Sequence, residues 1–173
     1  MVSFNRTLEE YENGFGDPSG EFWYGLKNIF CFTQNEAAEL RIDLEYPNGT
    51  TGFVHYKRFS ISTGSTYTAS ATEFKTSLGV KSDLFNPARI SYDRQRYYPT
   101  FYERSRCRSS NIRIGGWWDT SCRGNPNGPG PSENSTVYAM WNGDVVTKTE
   151  IKIRHTSCIV NPAFNCQYYQ EYY

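Results

Sequence analysis

Apolar and polar residues alternate most cleanly where Leu40, Ile42 and Leu44 are separated by Arg41, Asp43 and Glu45. This is the period-2 pattern of a half-buried strand. Asn48-Gly49 follows as a strong short-range turn signal. Val54 and Tyr56, then Phe59 and Ile61, predict a returning strand. Ser62 to Ser65 turn the chain again and Tyr67 to Ala71 add a third strand, so the pattern predicts an antiparallel meander. Towards the C-terminus, Val137-Tyr138-Ala139-Met140-Trp141 reads as a buried strand and Asn142-Gly143 as a turn. Thr149 to Arg154 alternates once more and is expected to rejoin the sheet.

Helical signals are shorter. Glu9 to Asn13 predicts one short helical segment, ended by Gly14-Phe15-Gly16, and Asp17-Pro18-Ser19-Gly20 is a turn. Trp23, Leu26 and Phe30 fall at helical spacing and predict a short buried helix from about Gly25 to Thr33, with Phe22 and Trp23 in the core. Glu73 to Asn86 reads as loop with one helical turn, and Asn86 to Tyr102 carries charge and aromatics without a period. The tail from Gln167 to Tyr173 is biased towards tyrosine and expected to fray. Residues 1–156 are read as one domain and 157–173 as a tail containing Cys and Tyr.

Composition changes the picture in two ways. Aromatics make up 17% of a chain whose apolar content is only 38%, so much of the core must be aromatic, with hydroxyl and indole groups wanting partners. Lys+Arg and Asp+Glu balance at 18 each, which supplies no global field for nucleic acid or an anionic membrane. No apolar run is long enough to span a bilayer.

The five cysteines include no Cys-x-x-Cys pair, and His155, Cys158 and Cys166 match no common zinc spacing. Three sequons, at Asn5, Asn48 and Asn134, fit a glycosylated extracellular protein. Met1-Val2-Ser3-Phe4-Asn5 is not a signal peptide, and the chain reads as part of a longer secreted protein. His55 and His155 sit apart in strand-like runs, with no nucleophile and base paired beside them, so no enzyme is read here.

The densest chemistry lies between Cys107 and Gly130. Gly115-Gly116 permits a tight backbone turn against rings, and adjacent Trp117 and Trp118 would point to opposite faces in extended chain. Asn125-Pro126-Asn127-Gly128-Pro129-Gly130-Pro131 is turn chemistry. A loop-built region anchored on tryptophan is where a binding site is expected.

These blocks resemble the fibrinogen C-terminal domain family, which includes fibrinogen chains, ficolins, tachylectins, angiopoietins and tenascins. The resemblance rests on Asn13-Gly14-Phe15-Gly16, on Gly20 to Ile29, on Glu39 to Glu45, on Gly115-Gly116-Trp117-Trp118 with Cys122, on Asn127-Gly128 and on Ile151 to Arg154. It implies an extracellular α+β domain, a twisted antiparallel sheet with short helices and a loop-rich ligand-binding half. It also implies that Cys107 and Cys122 are joined, closing a loop of roughly 15 residues for about 3 kcal/mol, while Cys31, Cys158 and Cys166 lack family partners.

In the family a calcium loop begins Asp-x-Asp. Here Asp93 is kept, Gln95 replaces the second aspartate, and Arg94 and Arg96 bring positive charge, so no calcium or other cofactor is expected. In acetyl-sugar-binding members a histidine follows the later cysteine and tyrosines complete an apolar cup. Here Cys122 is followed by Arg123, and Pro129-Gly130-Pro131 stands where tyrosine is usual. Arg123 offers a donor fork to a carboxylate or sulfate, and Arg123, Asn127, Trp117, Trp118 and Tyr138 are the candidate ligand-binding residues.

The function implied is a lectin-like recognition module for glycans or acetylated groups in innate defence. The alternative is a protein–protein module in signalling, adhesion or matrix. Family domains begin with a further subdomain, so a sheet edge or apolar face is expected to be open here, with Cys31 a buried free thiol and oligomerisation supplied by an upstream region.

Overall fold

A computed structural model describes residues 2–62, 66–77, 79–80, 83–85, 96–98, 115–118, 124–128, 139–157 and 169–172. Thr7 caps the first helix, α1 (Leu8–Asn13), by accepting from Glu10 N, and the Glu10 carboxylate returns to Thr7 N at 2.8 Å. That reciprocal pair satisfies two amides the helix cannot satisfy itself. A two-residue ribbon of β1 (Phe15–Gly16) and β2 (Phe22–Trp23) follows, closed by a turn in which Asp17 Oδ1 accepts from Ser19 N.

Helix α2 (Leu26–Asn35) is entered through Gly25 at φ +101°. Its buried positions are Leu26, Ile29 and Thr33, which corrects the apolar spacing read from the sequence. Trp23 belongs to β2 and Phe30 is only half-buried. Gly25 restarts the backbone between Trp23 and Leu26, so the two do not share a helical face.

The centre of the fold is a five-stranded, wholly antiparallel sheet of β3 (Ala38–Glu45), β4 (Thr51–Ile61), β5 (Ala69–Thr76), β10 (Lys148–His155) and β11 (Tyr169–Tyr172), in spatial order β11-β10-β3-β4-β5. Leu40, Ile42 and Leu44 are buried beside Ile151 and Ile153 on one flank and Val54 and Tyr56 on the other. Helix α2 lies against β4, where Thr33 Oγ1 accepts from Ile61 N. In β4 the apolar spacing lengthens between Tyr56 and Phe59. There Leu40 and Ala38 of β3 face Tyr56 and Phe59 respectively, so two residues of β4, Lys57 and Arg58, oppose one of β3, Glu39. This bulge resets the phase and keeps Phe59 and Ile61 on the buried face.

Two expectations fail at the sheet edges. Strand β5 runs on to Thr76, where the sequence reads as loop, because Thr72 and Phe74 pair with Arg58 and Tyr56 across the same bulge. Glu73 there stands at φ +57° and takes Arg58 Nε at 2.6 Å; polar edge residues leave no alternation to read. Within the tail, Tyr169–Tyr172 does not fray: it lies antiparallel along Ile153–Glu150 and pairs the outer edge of β10.

Nor is the second face of the sheet apolar. It carries Arg41, Asp43, Glu150 and Lys152 in contact with one another. Cys31 is exposed, not buried, since α2 turns Ile29 and Thr33 inward instead.

Asn-Gly occurs at two hairpins and makes two different turns. Asn142-Gly143 joins β8 (Met140–Trp141) to β9 (Asp144–Val145) with φ +54° and +88°, the two-residue turn with both central residues left-handed. At Asn48-Gly49 only Gly49 is left-handed, φ +78°. Pro47 precedes it, and its ring holds φ near −65°, so the loop closes as a three-residue turn with Tyr46 N donating to Thr50 O.

Candidate functional site

The loop-borne half is visible as β6 (Tyr97–Tyr98) paired with β7 (Trp117–Trp118), the segment Gly124–Gly128, and the β8–β9 hairpin. Gly115 stands at φ +103°, and a Cβ there would run into the Asn125 carboxamide. A Cβ on Gly116 would come within 2.5 Å of Tyr11 Cζ and against the Tyr97 hydroxyl. The glycine pair is therefore a demand of close approach.

Both backbone groups of Gly116 are taken. Its N–H donates to Tyr11 Oη at 2.9 Å and its carbonyl accepts from Asn127 Nδ2 at 2.7 Å. Tyr11 in turn donates to Phe4 O at 2.8 Å. A second tie links the same loop to the hairpin, where Asn125 and Met140 exchange N–H···O bonds of 2.9 and 3.0 Å.

Beneath this clamp lies an aromatic floor. Trp117 and Trp118 meet edge to face at 4.9 Å and 77°, and Trp118 packs the same way on Tyr97 and Phe59. Trp118 Nε1 donates to Tyr67 O, and Trp23 Nε1 to Tyr11 O, both at 2.8 Å. Trp117 and Trp118 are 0% and 2% exposed; their rings are used in packing and present no open stacking face. Behind them, Phe22, Trp23, Ile29, Leu40, Phe59 and Trp118 line an almost entirely apolar pocket of about 10 Å³.

Of the candidate ligand residues, Asn127 is also buried, at 1%, and acts as a brace. Arg123 and Tyr138 lie outside the described residues, as do Asp93, Gln95, Cys107, Cys122, Cys158, Cys166 and Asn134. Among the described residues no group of three His, Cys, Asp or Glu could hold a metal, and no helix is long and apolar enough to cross a membrane. Tyr11, Tyr97 and Asn125 are the site-forming residues the sequence did not reveal. Their partners are distant along the chain and no local period marks them.

The opposite face of the sheet is a cross-strand ladder of charge. Arg41 donates to Asp43 at 2.7 Å, Lys152 to Asp43 at 2.9 Å and to Glu150 at 2.8 Å, while Arg41 also stacks over Phe53 at 4.1 Å. Burial opposes the charge on Asp43, but the hydrogen bonds from Arg41 and Lys152 outweigh it and hold the carboxyl below the usual range. Burial likewise opposes Lys152, and Glu150 and Asp43 raise it above the ordinary lysine value. Nearby, the buried Glu39 receives His55 Nε2 at 2.6 Å and Arg154 at 3.3 Å. A shallow polar groove crosses this face between Arg41, Asp43, Glu45, Phe53, Lys148 and Glu150. Two cations, Arg41 and Lys148, line it beside three anions, Asp43, Glu45 and Glu150.

A twisted antiparallel sheet that carries its glycine- and tryptophan-rich loops on a rigid aromatic floor defines an α+β recognition domain, in which loops bind and the sheet supports. The profile described as "Fibrinogen beta and gamma chains, C-terminal globular domain" matches residues 1–160. The chain belongs to this fibrinogen C-terminal domain family. It is similar to human Microfibril-associated glycoprotein 4, at 34% identity over 167 residues, covering 88% of this chain and 64% of that protein. It is similar to human Ficolin-3, at 31% identity, with 73% and 42% covered, and to human Angiopoietin-4, at 30%, with 70% and 24% covered. The chain thus spans between 24% and 64% of the length of these relatives. Among solved structures, the fibrinogen-like globe domain of human ANGPTL6 matches with a TM-score of 0.70 at 24% identity, covering 88% of this chain and 72% of that one. Lamprey fibrin D-dimer, complexed with the peptide ligand Gly-His-Arg-Pro-amide, matches with a TM-score of 0.63 at 20% identity, with 88% and 57% covered. Domains of this family are extracellular binding modules without enzymatic chemistry.

Proposed function

We propose that the chain recognises glycans or acetylated groups in a lectin-like manner through its loop-borne half. The supporting observation is the double clamp on Gly116 by Tyr11 and Asn127. A loop held at both backbone groups on a packed floor is organised before any ligand arrives, and pre-organisation lowers the entropy lost on binding. Arg123 and Tyr138 are assigned to the ligand, Asn127, Trp117 and Trp118 to its support, and a Cys107–Cys122 bridge to the loop between. An upstream oligomerising region would make weak single sites additive. The proposed setting is outside the cell, in innate defence.

A glycan array probed with the purified chain tests this. Binding to acetylated sugars that is competed by free acetylated monosaccharide and lost in Arg123→Ala is the expected result. A blank array at high protein concentration overturns it.

One feature favours a second reading, a protein ligand. Pro129-Gly130-Pro131 occupies the place where acetyl-sugar-binding members carry tyrosine. A blank array together with saturable binding to an extracellular protein or peptide would establish that reading in place of the first.

A further inference from the structure

Three sequons stand in the chain, and the two that the structure describes are not equivalent. At the β3–β4 hairpin, Tyr46 N donates to Thr50 O and Gly49 N to Tyr46 O, both at 2.9 Å. Asn48, Gly49 and Thr50 are all exposed, and a Cβ built on Gly49 meets nothing within 4 Å. Thr50 donates twice to Asn48 Oδ1, from its backbone N–H at 3.0 Å and from its hydroxyl at 2.7 Å. Asn48 Nδ2 makes no hydrogen bond among the described residues and faces solvent.

At Asn5 the corresponding hydroxyl is spent. Thr7 Oγ1 donates to Glu10 Oε2 at 3.1 Å and accepts from Glu10 N at 3.3 Å in the cap of α1. A hydroxyl has one proton to give, and here it goes to the carboxylate and not to Asn5.

We infer that Asn48 is the preferred N-glycan acceptor of the two described sequons and that Asn5 is disfavoured, an inference that rests on the extracellular setting of the chain. The chemistry follows from the turn. Two donors on Oδ1 draw electron density from the carboxamide nitrogen into the C–N bond, so the Nδ2 proton becomes easier to remove. Nδ2 then attacks the anomeric carbon of a lipid-pyrophosphate-linked oligosaccharide. The new C–N bond forms as the sugar–phosphate C–O bond breaks, the lipid pyrophosphate leaves with the electron pair, and the amide proton passes to a base of the transferase. Oδ1 keeps both hydrogen bonds throughout, so the glycan leaves the hairpin intact. The Asn48–Thr50 contact spans two residues and the Thr7–Glu10 contact three, so both are local, need no sheet and form in a chain not yet folded.

The test is to express the chain behind a secretion signal in eukaryotic cells. Each sequon peptide is then read by mass spectrometry after glycosidase release in heavy-oxygen water. Secreted and retained material are both analysed, since transfer precedes folding. The expected result is a glycan at Asn48 in nearly all molecules and severalfold lower occupancy at Asn5, with Asn48→Gln and Thr50→Ala each removing one glycan mass. Gly49→Val keeps a formal Asn-x-Thr but disfavours φ +78°, and Asn48 occupancy falls severalfold. Unmodified Asn48, Asn5 occupied as fully as Asn48, or an unchanged Gly49→Val would overturn the inference. Recovery of the native protein unglycosylated from the cytoplasm, alongside modification of the redirected chain at Asn48, would overturn the extracellular setting and leave the acceptor geometry supported.

Discussion

The phenol of Tyr11, on the first helix, takes the amide hydrogen of Gly116 across 105 residues of chain. Tyr11→Phe leaves that buried N–H without the phenol oxygen and removes the phenol's hydrogen bond to the Phe4 carbonyl. The expected loss is about 1–3 kcal/mol, read by denaturant unfolding monitored through tryptophan fluorescence. Phe4→Ala, which keeps the phenol and its bond to Gly116, shifts the emission of Trp117 and Trp118 less than Tyr11→Phe does.

Gly116→Ala forces a methyl against Tyr11 and Tyr97. Overpacking of this kind costs about 1–3 kcal/mol, and the shift is expected to exceed that of Gly20→Ala, whose Cβ meets only an ordinary contact with Asp17 O at 3.9 Å. Equal melting temperatures for the two variants would show that the loop floor yields where the geometry says it cannot.

Trp118→Ala removes a buried ring that five other described aromatics contact, among them Phe59 and Tyr97, and orphans the Tyr67 carbonyl. A loss of about 3–5 kcal/mol is expected. Retention of a cooperative transition near the parental midpoint would mean the ring contributes little.

Much of this was legible, and the misses have physical causes. Leu40, Ile42 and Leu44 alternate because one face of β3 is buried and the other is wet, so pattern and burial coincide. The break between Tyr56 and Phe59 is the bulge itself, written in the sequence as a spacing of three. Strand β5 beyond Ala71 was hidden because an edge strand with both faces partly wet needs no apolar period. Glu39 is as buried as Leu44, yet nothing local says so; His55 and Arg154 arrive from other strands to accompany it. In the site, Gly115-Gly116 and the two tryptophans declared a tight aromatic turn. The identity of the rings behind the glycines could come only from the fold.

The Asp43 ladder sets a pH dependence. The Asp43 carboxyl is held below its usual range by Arg41 and Lys152, against burial. Its stabilisation is therefore complete above the ordinary carboxylate value of about 3.9, and is lost as pH falls through the lower folded value. Lys152 is raised, so its contribution is complete below about 10.4 and is lost as pH climbs through the higher folded value. Melting temperature should be flat in between. Asp43→Asn should lower it there by the equivalent of about 1 kcal/mol, and the gap to the parent should close in acid. A gap that persists unchanged at the acid end would assign the loss to packing.

Calcium is expected to leave the melting temperature unchanged, because Gln95 and the neighbouring arginines weaken the acidic run at Asp93. A ligand bound only to the folded state must raise it. A calcium-dependent rise that vanishes in Asp93→Ala would reverse that expectation.

The bond from Tyr11 to Gly116 also limits what evolution or an engineer can do with the recognition loops. Residues 115–128 are not a portable cassette. Moved alone onto another scaffold, they would arrive without the phenol that seats Gly116, without Tyr97 and without the Tyr67 carbonyl that receives Trp118. New specificity is cheapest to gain in the segments next to this region, by exchanging residues that touch neither glycine nor indole. The foundation, drawn from three distant parts of the chain at Tyr11, Tyr67 and Tyr97, is inherited whole or not at all.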